Sequence, residues 1–231
     1  MIDNISNNVS DDSNILSSYV INLPLSGAVV NLKPESFSLA TNGKLCPQYP
    51  CNIMLSYDAH RQAIVIKFNN TNNPFVDDNN YTQDNSDMWN QEVFEIFIAP
   101  GSDTPIKYVE IELNPNNALF SAWVDNPDGR GSLNTLSYFD GRESGIQAGV
   151  LKGADSWSGE IVLPLAILGE LKHNYRINFF RVASFARHDK NINWSRSLDT
   201  CKFLAWSPTF SGIIPDYFHL PRYFGYLNLL V

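Results

Sequence analysis

Three glutamates on two neighbouring apolar segments are the residues of this chain best placed to do chemistry. Glu95 lies in the run Trp89-Asn90-Gln91-Glu92-Val93-Phe94-Glu95-Ile96-Phe97-Ile98-Ala99-Pro100, six residues after a tryptophan. Glu110 and Glu112 lie in the next run, Lys107 to Asn114. An ionised carboxylate only accepts hydrogen bonds, and its burial has to be offset by a donor, a cation or a proton. Carboxylates beside an aromatic ring therefore suit a ligand with several O–H donors and an apolar face.

Strand alternation decides which of these groups can meet. In the first run Phe94, Ile96 and Ile98 share one face, and Val93, Glu95, Phe97 and Ala99 the other. In the second, Val109, Ile111 and Leu113 share one face, and Tyr108, Glu110, Glu112 and Asn114 the other. Directly opposed residues of an antiparallel pair point the same way, so apolar must meet apolar. If the two strands pair, Glu95 stands opposite Glu110 or Glu112, and two or three carboxylates share a face. Like charges so placed are destabilising; an arginine, a bound cation, a raised pKa or a hydroxyl-rich ligand would offset them. Arg181, in alternation with Ile177 and Phe179, is the expected balancing charge. A solvated outer sheet face is the simpler reading, but Phe97 and Tyr108 would then form an exposed aromatic patch.

The rest of the chain supplies the scaffold for such a hairpin. Short apolar runs separated by Pro, Gly, Asn and Asp recur at 18–25, 28–32, 36–40, 53–57, 63–68, 92–99, 108–113, 118–124, 146–151, 158–163, 175–184, 203–206 and 223–230. Many short strands with frequent turn signals predict an all-β, antiparallel β-sandwich, jelly-roll-like. One short helix is expected, with Pro164 at its first turn and running to about Leu171. Residues 1–18 read as a flexible tail and 19–231 as one domain.

Composition narrows the partners. The net charge of −8 disfavours nucleic acid and anionic membrane, which both need a basic footprint. No apolar run approaches the ~20 residues of a membrane span. The N-terminus lacks secretory and transit signatures, which leaves the compartment open with the cytoplasm as the default. Cys46 and Cys51, with two prolines between them, suit neither a zinc knuckle nor a redox pair; they are two free thiols or a small loop disulfide. Cys201 reads as a small buried residue. The polar loop 69–88, with Asp77, Asp78, Asp84 and Asp87, is a solvated loop or a calcium loop without EF-hand spacing.

The order of the segments carries a resemblance. Tyr57-Asp58 is followed by Trp89 through Phe97, by Tyr108 through Pro115, by Trp157-Ser158-Gly159-Glu160-Ile161-Val162-Leu163-Pro164 and by Arg176 through Arg181. Trp206-Ser207-Pro208-Thr209, Pro215 through Pro221 and Phe224-Gly225-Tyr226-Leu227 close the series. Over roughly residues 50–230 this succession resembles the family 9 carbohydrate-binding modules and family 9-like domains of the DOMON-type β-sandwich group. The resemblance implies a non-catalytic sandwich that holds a glucan, xylan or small sugar between two aromatic side chains, with structural calcium nearby. Trp89 matches the first stacking tryptophan and Glu95 the glutamate beyond it. Trp206 is the expected second stacking residue, with Phe218 and His219 as rivals. The chain departs from the pattern at Asn90, Gln91 and Glu92, where those modules carry paired acids.

The combined expectation is a sugar stacked on Trp89 and on an aromatic from the Trp206–His219 segment. Glu95 and Glu110 accept its hydroxyls and Arg181 balances their charge. Trp123 and Trp157 are read as packing residues, while Trp194 is an edge or stacking residue. His60, His173 and His188 lack metal-ligand spacing. Two other classes stay open. One is a protein-interaction or structural sandwich without sugar binding. The other is a glycoside hydrolase using Glu95 and Glu110, because Glu92 and Glu95, three apart, point to opposite faces.

Overall fold

The computed structural model describes residues 18–33, 36–129, 135–187, 197–212 and 217–231. Nearly all of the expected tail and Trp194 lie outside them. The strands, in chain order, are β1 (Val20–Pro24), β2 (Val30–Leu32), β3 (Ser38–Leu39), β4 (Cys51–Asp58), β5 (Ala63–Asn70), β6 (Val93–Pro100) and β7 (Lys107–Leu113). They continue with β8 (Leu119–Asp125), β9 (Thr135–Tyr138), β10 (Gln147–Lys152), β11 (Trp157–Pro164), β12 (Asn174–Ser184), β13 (Cys201–Ala205) and β14 (Gly225–Leu230). Every predicted run contains a strand. β9 was not foreseen: its short, exposed Thr-Leu-Ser-Tyr sequence has no apolar stripe to mark it.

Two sheets form. Sheet A runs β1-β14-β12-β6-β7-β8-β9, with β13 on β12 and β3 on β13, and sheet B runs β10-β11-β5-β4-β2. The pairings are antiparallel except β1 on β14, which is parallel. The chain crosses repeatedly between the sheets, and this defines an antiparallel-rich β-sandwich. β4 shows how alternation builds it: Cys51, Ile53, Leu55 and Tyr57 are buried, whereas Asn52, Met54, Ser56 and Asp58 face outward. The core between the sheets joins Ile53, Ile66 and Phe68 of sheet B to Phe94, Ile96, Ile111 and Phe179 of sheet A. Phe68 stacks on Phe94 at 4.0 Å. Gly159 makes room for that ring, since a Cβ there would come within 2.4 Å of it.

The expected helix after Pro164 is a single 3-10 turn, Leu165–Leu168. Pro164 is still extended at the end of β11, and Gly169, at φ +92°, reverses the chain after one turn. No α-helix occurs among the described residues.

Sheet A differs from an ordinary sandwich layer because both of its faces are covered in the middle. β6 and β12 are buried almost end to end. A second apolar cluster lies on the face turned away from sheet B. It contains Val93, Phe97, Tyr108, Phe120, Ala122, Phe180, Phe203, Phe218 and Phe224. The carboxylates are on this outer face.

Candidate functional site

The register of β6 on β7 places Glu95 opposite Glu112 and Phe97 opposite Glu110, one of the two registers that alternation allows. Across the outer face the rows read Phe180, Glu95, Glu112, Phe120 and then Phe97, Glu110, Ala122, Tyr138. Glu95 and Glu112 thus oppose each other between Phe180 and Phe120, Glu110 lies between Phe97 and Ala122, and all three are buried. Their oxygens gather within 4.8 Å of one another. Among the described residues this is the group spaced to hold a hard cation; it is equally spaced to accept several O–H donors.

Loops complete the face. The 3-10 turn Met88–Asn90 buries Met88 in the outer cluster and leaves Trp89 half-buried above it. The Trp89 ring meets Phe120 edge-on at 5.4 Å, and Phe120 meets the exposed Tyr138 at 5.5 Å. On the opposite side His219 lies 4.9 Å from Phe97, with Nε2 4.0 Å from Glu110 Oε1. Its neighbour Phe218 stacks on Phe180 at 4.2 Å and is itself buried. The carboxylates lie in the sheet lattice between the Trp89–Phe120 side and the His219–Phe97 side.

Two expected site residues are elsewhere. Trp206 is 4% exposed and belongs to the core between the sheets, against Tyr19 at 5.5 Å and Phe179 at 5.9 Å. It cannot stack on a ligand at the outer face. Arg181 also points inward. Its Nε donates to Glu92 Oε1 at 2.8 Å, and its terminal nitrogens donate to the carbonyls of Pro50 and Thr71 at 2.9 and 3.1 Å. It balances Glu92, not Glu95 or Glu110.

That buried ion pair has a positioning role. Glu92 also accepts from Trp157 Nε1 at 3.0 Å and from the Ser184 backbone N–H at 2.9 Å. The hub therefore joins β11 and the ends of β4 and β5 to β12, at the residue just before β6. It pins the short segment that leads from Trp89 to Glu95.

The asparagine-rich loop is fastened to the same place. Asn79 Nδ2 donates to the Glu92 carbonyl at 3.0 Å, and Gln91 Oε1 accepts from the Asn80 backbone at 2.8 Å. Asn114 and Asn116 donate to the Tyr81 carbonyl at 2.8 and 3.0 Å. Its aspartates do not converge as calcium ligands would: Asp77 faces Lys152, Asp78 faces Arg187 and Asp84 faces Arg142. Of the packing readings, Trp157 is buried and Trp123 packs half-buried against the core. The three cysteines are buried free thiols.

Glu112 was expected to share the carboxylate face but was left out of the combined sugar site, and Phe120 and Asn126 had no expected role. Glu112 shares a face with Glu110, and Phe120 shares one with Ala122 and Val124, so alternation carried both signals. Asn126, the first residue past β8, had none.

Known structures share this architecture. A candidate carbohydrate-binding protein from Bacteroides uniformis superposes with a TM-score of 0.58 at 17% identity, over 89% of this chain and 87% of that one. A family 9 carbohydrate-binding module from Caldicellulosiruptor kristjanssonii, in complex with cellotriose, gives 0.56 at 14% identity over 91% and 93% of the two chains. The glucose complex of a family 9 module from the same organism gives 0.53 at 15% identity, over 100% and 92%. The chain has the fold of the family 9 modules, and at these identities the likeness shows the fold alone. A curated relative from Arthroderma benhamiae, described as an extracellular protein, is 32% identical over 111 residues. The match covers 43% of this chain and about half, 49%, of that relative's length. No protein-family model matches the sequence.

Proposed function

We propose that this domain binds a neutral carbohydrate on the outer face of sheet A, with Trp89 stacking on the sugar. Glu95, Glu110 and Glu112 accept its hydroxyls from one side, and His219 closes the other. The observation that carries this reading is the gathering of three buried carboxylates within 4.8 Å on an aromatic-lined face. Carboxylates are acceptor-only and form the stronger, charge-assisted hydrogen bonds. A pyranose offers O–H donors on successive carbons and an apolar C–H face for the tryptophan. Modules of the same fold that bind glucose and cellotriose support the choice of ligand class. A calorimetric screen with glucose, cellotriose and xylo-oligosaccharides tests it. Binding of at least one of them is expected, and heats indistinguishable from buffer for all would favour a protein-interaction sandwich.

A second reading rests on the same carboxylates. Groups this close approach the ~5 Å separation of retaining glycosidases. Release of reducing ends from cellotriose or xylan, abolished in Glu95→Gln, would establish catalysis; binding without release keeps the domain a binder.

A further inference from the structure

His219 stands at the edge of the carboxylate group, and the ring nitrogen that carries its hydrogen decides what it offers a ligand. Nδ1 lies 2.8 Å from the Tyr108 hydroxyl, while Nε2 faces Glu110 Oε1 at 4.0 Å. Asn126 fixes the direction of the first contact. Its side-chain nitrogen donates to the His219 backbone carbonyl at 3.0 Å, and a carbonyl only accepts, so the amide orientation is settled. The same nitrogen reaches the Tyr108 hydroxyl oxygen at 3.4 Å. Tyr108 is fully buried, and that burial pushes its phenol well above the ordinary tyrosine range, so it keeps its hydrogen. The buried phenol hydrogen needs an acceptor, and since Asn126 Nδ2 can only donate, His219 Nδ1 is the acceptor within reach among the described residues. A neutral imidazole that accepts at Nδ1 carries its hydrogen on Nε2.

We propose that Tyr108 and Asn126 are positioning residues that hold His219 in its Nε2–H tautomer, so that His219 and Glu110 form a donor–acceptor pair for one ligand hydroxyl. The hydroxyl rests on the sugar-binding reading above; the tautomer does not. The pair has a chemical logic. Glu95, Glu110 and Glu112 offer only acceptors, and the Nε2–H adds a donor at their edge. A hydroxyl both accepts and donates, and a single oxygen can bridge a gap of 4.0 Å between heavy atoms. An ether oxygen or a hydrogen at that position satisfies one partner or neither.

Long-range ¹H–¹⁵N correlation spectra of the ¹⁵N-labelled protein at roughly pH 8, above the ordinary imidazole range, read the tautomer directly. The His219 signals are identified by their absence from His219→Gln. The wild type should show the Nε2–H pattern, and Tyr108→Phe should move it toward Nδ1–H or an average of the two. An Nδ1–H or averaged pattern in the wild type overturns the proposal, and this measurement stands even if Tyr108→Phe does not fold. An unchanged pattern in a folded Tyr108→Phe overturns it as well. Tyr108→Phe should also weaken cellotriose binding about threefold to tenfold, the loss of one hydrogen bond's contribution. A wild type with the Nε2–H pattern that binds no sugar contradicts the function proposed for the face while upholding the tautomer held by Tyr108 and Asn126.

Discussion

At the scale of single residues, two tryptophans separate binding from stability. Trp89 is half-buried at the rim of the carboxylate face, and Trp206 is sealed in the core. Trp206→Ala should cost about 3–5 kcal/mol of stability in denaturant titrations, the usual price of emptying a large core site. Trp89→Ala should cost much less, under about 1.5 kcal/mol, because part of its ring already meets water. The thiols give a second residue-scale expectation. Burial raises the Cys51 thiol from its ordinary 9.0 to about 12 and also raises Cys46 and Cys201. A thiol raised by folding keeps its proton longer in the folded state. The Cys51 contribution to stability therefore falls as pH rises from 9.0 toward about 12. At about pH 8 the native protein should resist alkylation at all three cysteines and label fully once unfolded. Rapid labelling of the native protein would show that the thiols are not buried as described.

At the scale of elements, the Glu92–Arg181 pair locks the strands that carry the site. Removing one partner leaves an uncompensated buried charge, so Glu92→Gln should destabilise the domain by about 3–5 kcal/mol in chemical denaturation. A loss below about 1 kcal/mol would show that the pair does not bolt the sheets. The shared face of β6 and β7 was legible because Phe94, Ile96 and Ile98 had to meet the apolar set Val109, Ile111 and Leu113; alternation left two registers open, and the one formed sets Glu95 on Glu112. The side of the sheet on which Arg181 lies was not. On β12 the residues of both parities are apolar, Ile177 and Phe179 on one face and Phe180 and Val182 on the other. Alternation then gives the two sets without saying which meets sheet B. Trp206 misled for a related reason. It stands just past β13, and its place was inferred from segment order, which does not encode the direction of a side chain leaving a strand.

At the scale of the whole molecule, the sandwich brings the carboxylates, Trp89 and His219 together on the outer face of sheet A. The net charge of −8 shapes what a ligand there can be. A neutral sugar bound through hydroxyls should show an affinity that varies little with added salt, since no ion pair is screened. A steep salt dependence would point to a charged ligand. The central claim is that the face bearing Trp89 and Glu95 holds the sugar, and it is tested most directly by calorimetry with cellotriose. The wild type is compared with Trp89→Ala, Glu95→Gln and the core variant Trp206→Phe, each verified as folded. Trp89→Ala and Glu95→Gln should each weaken binding by about tenfold or more, with Trp206→Phe close to wild type. Wild-type affinity retained in both Trp89→Ala and Glu95→Gln would place the sugar elsewhere and contradict the account.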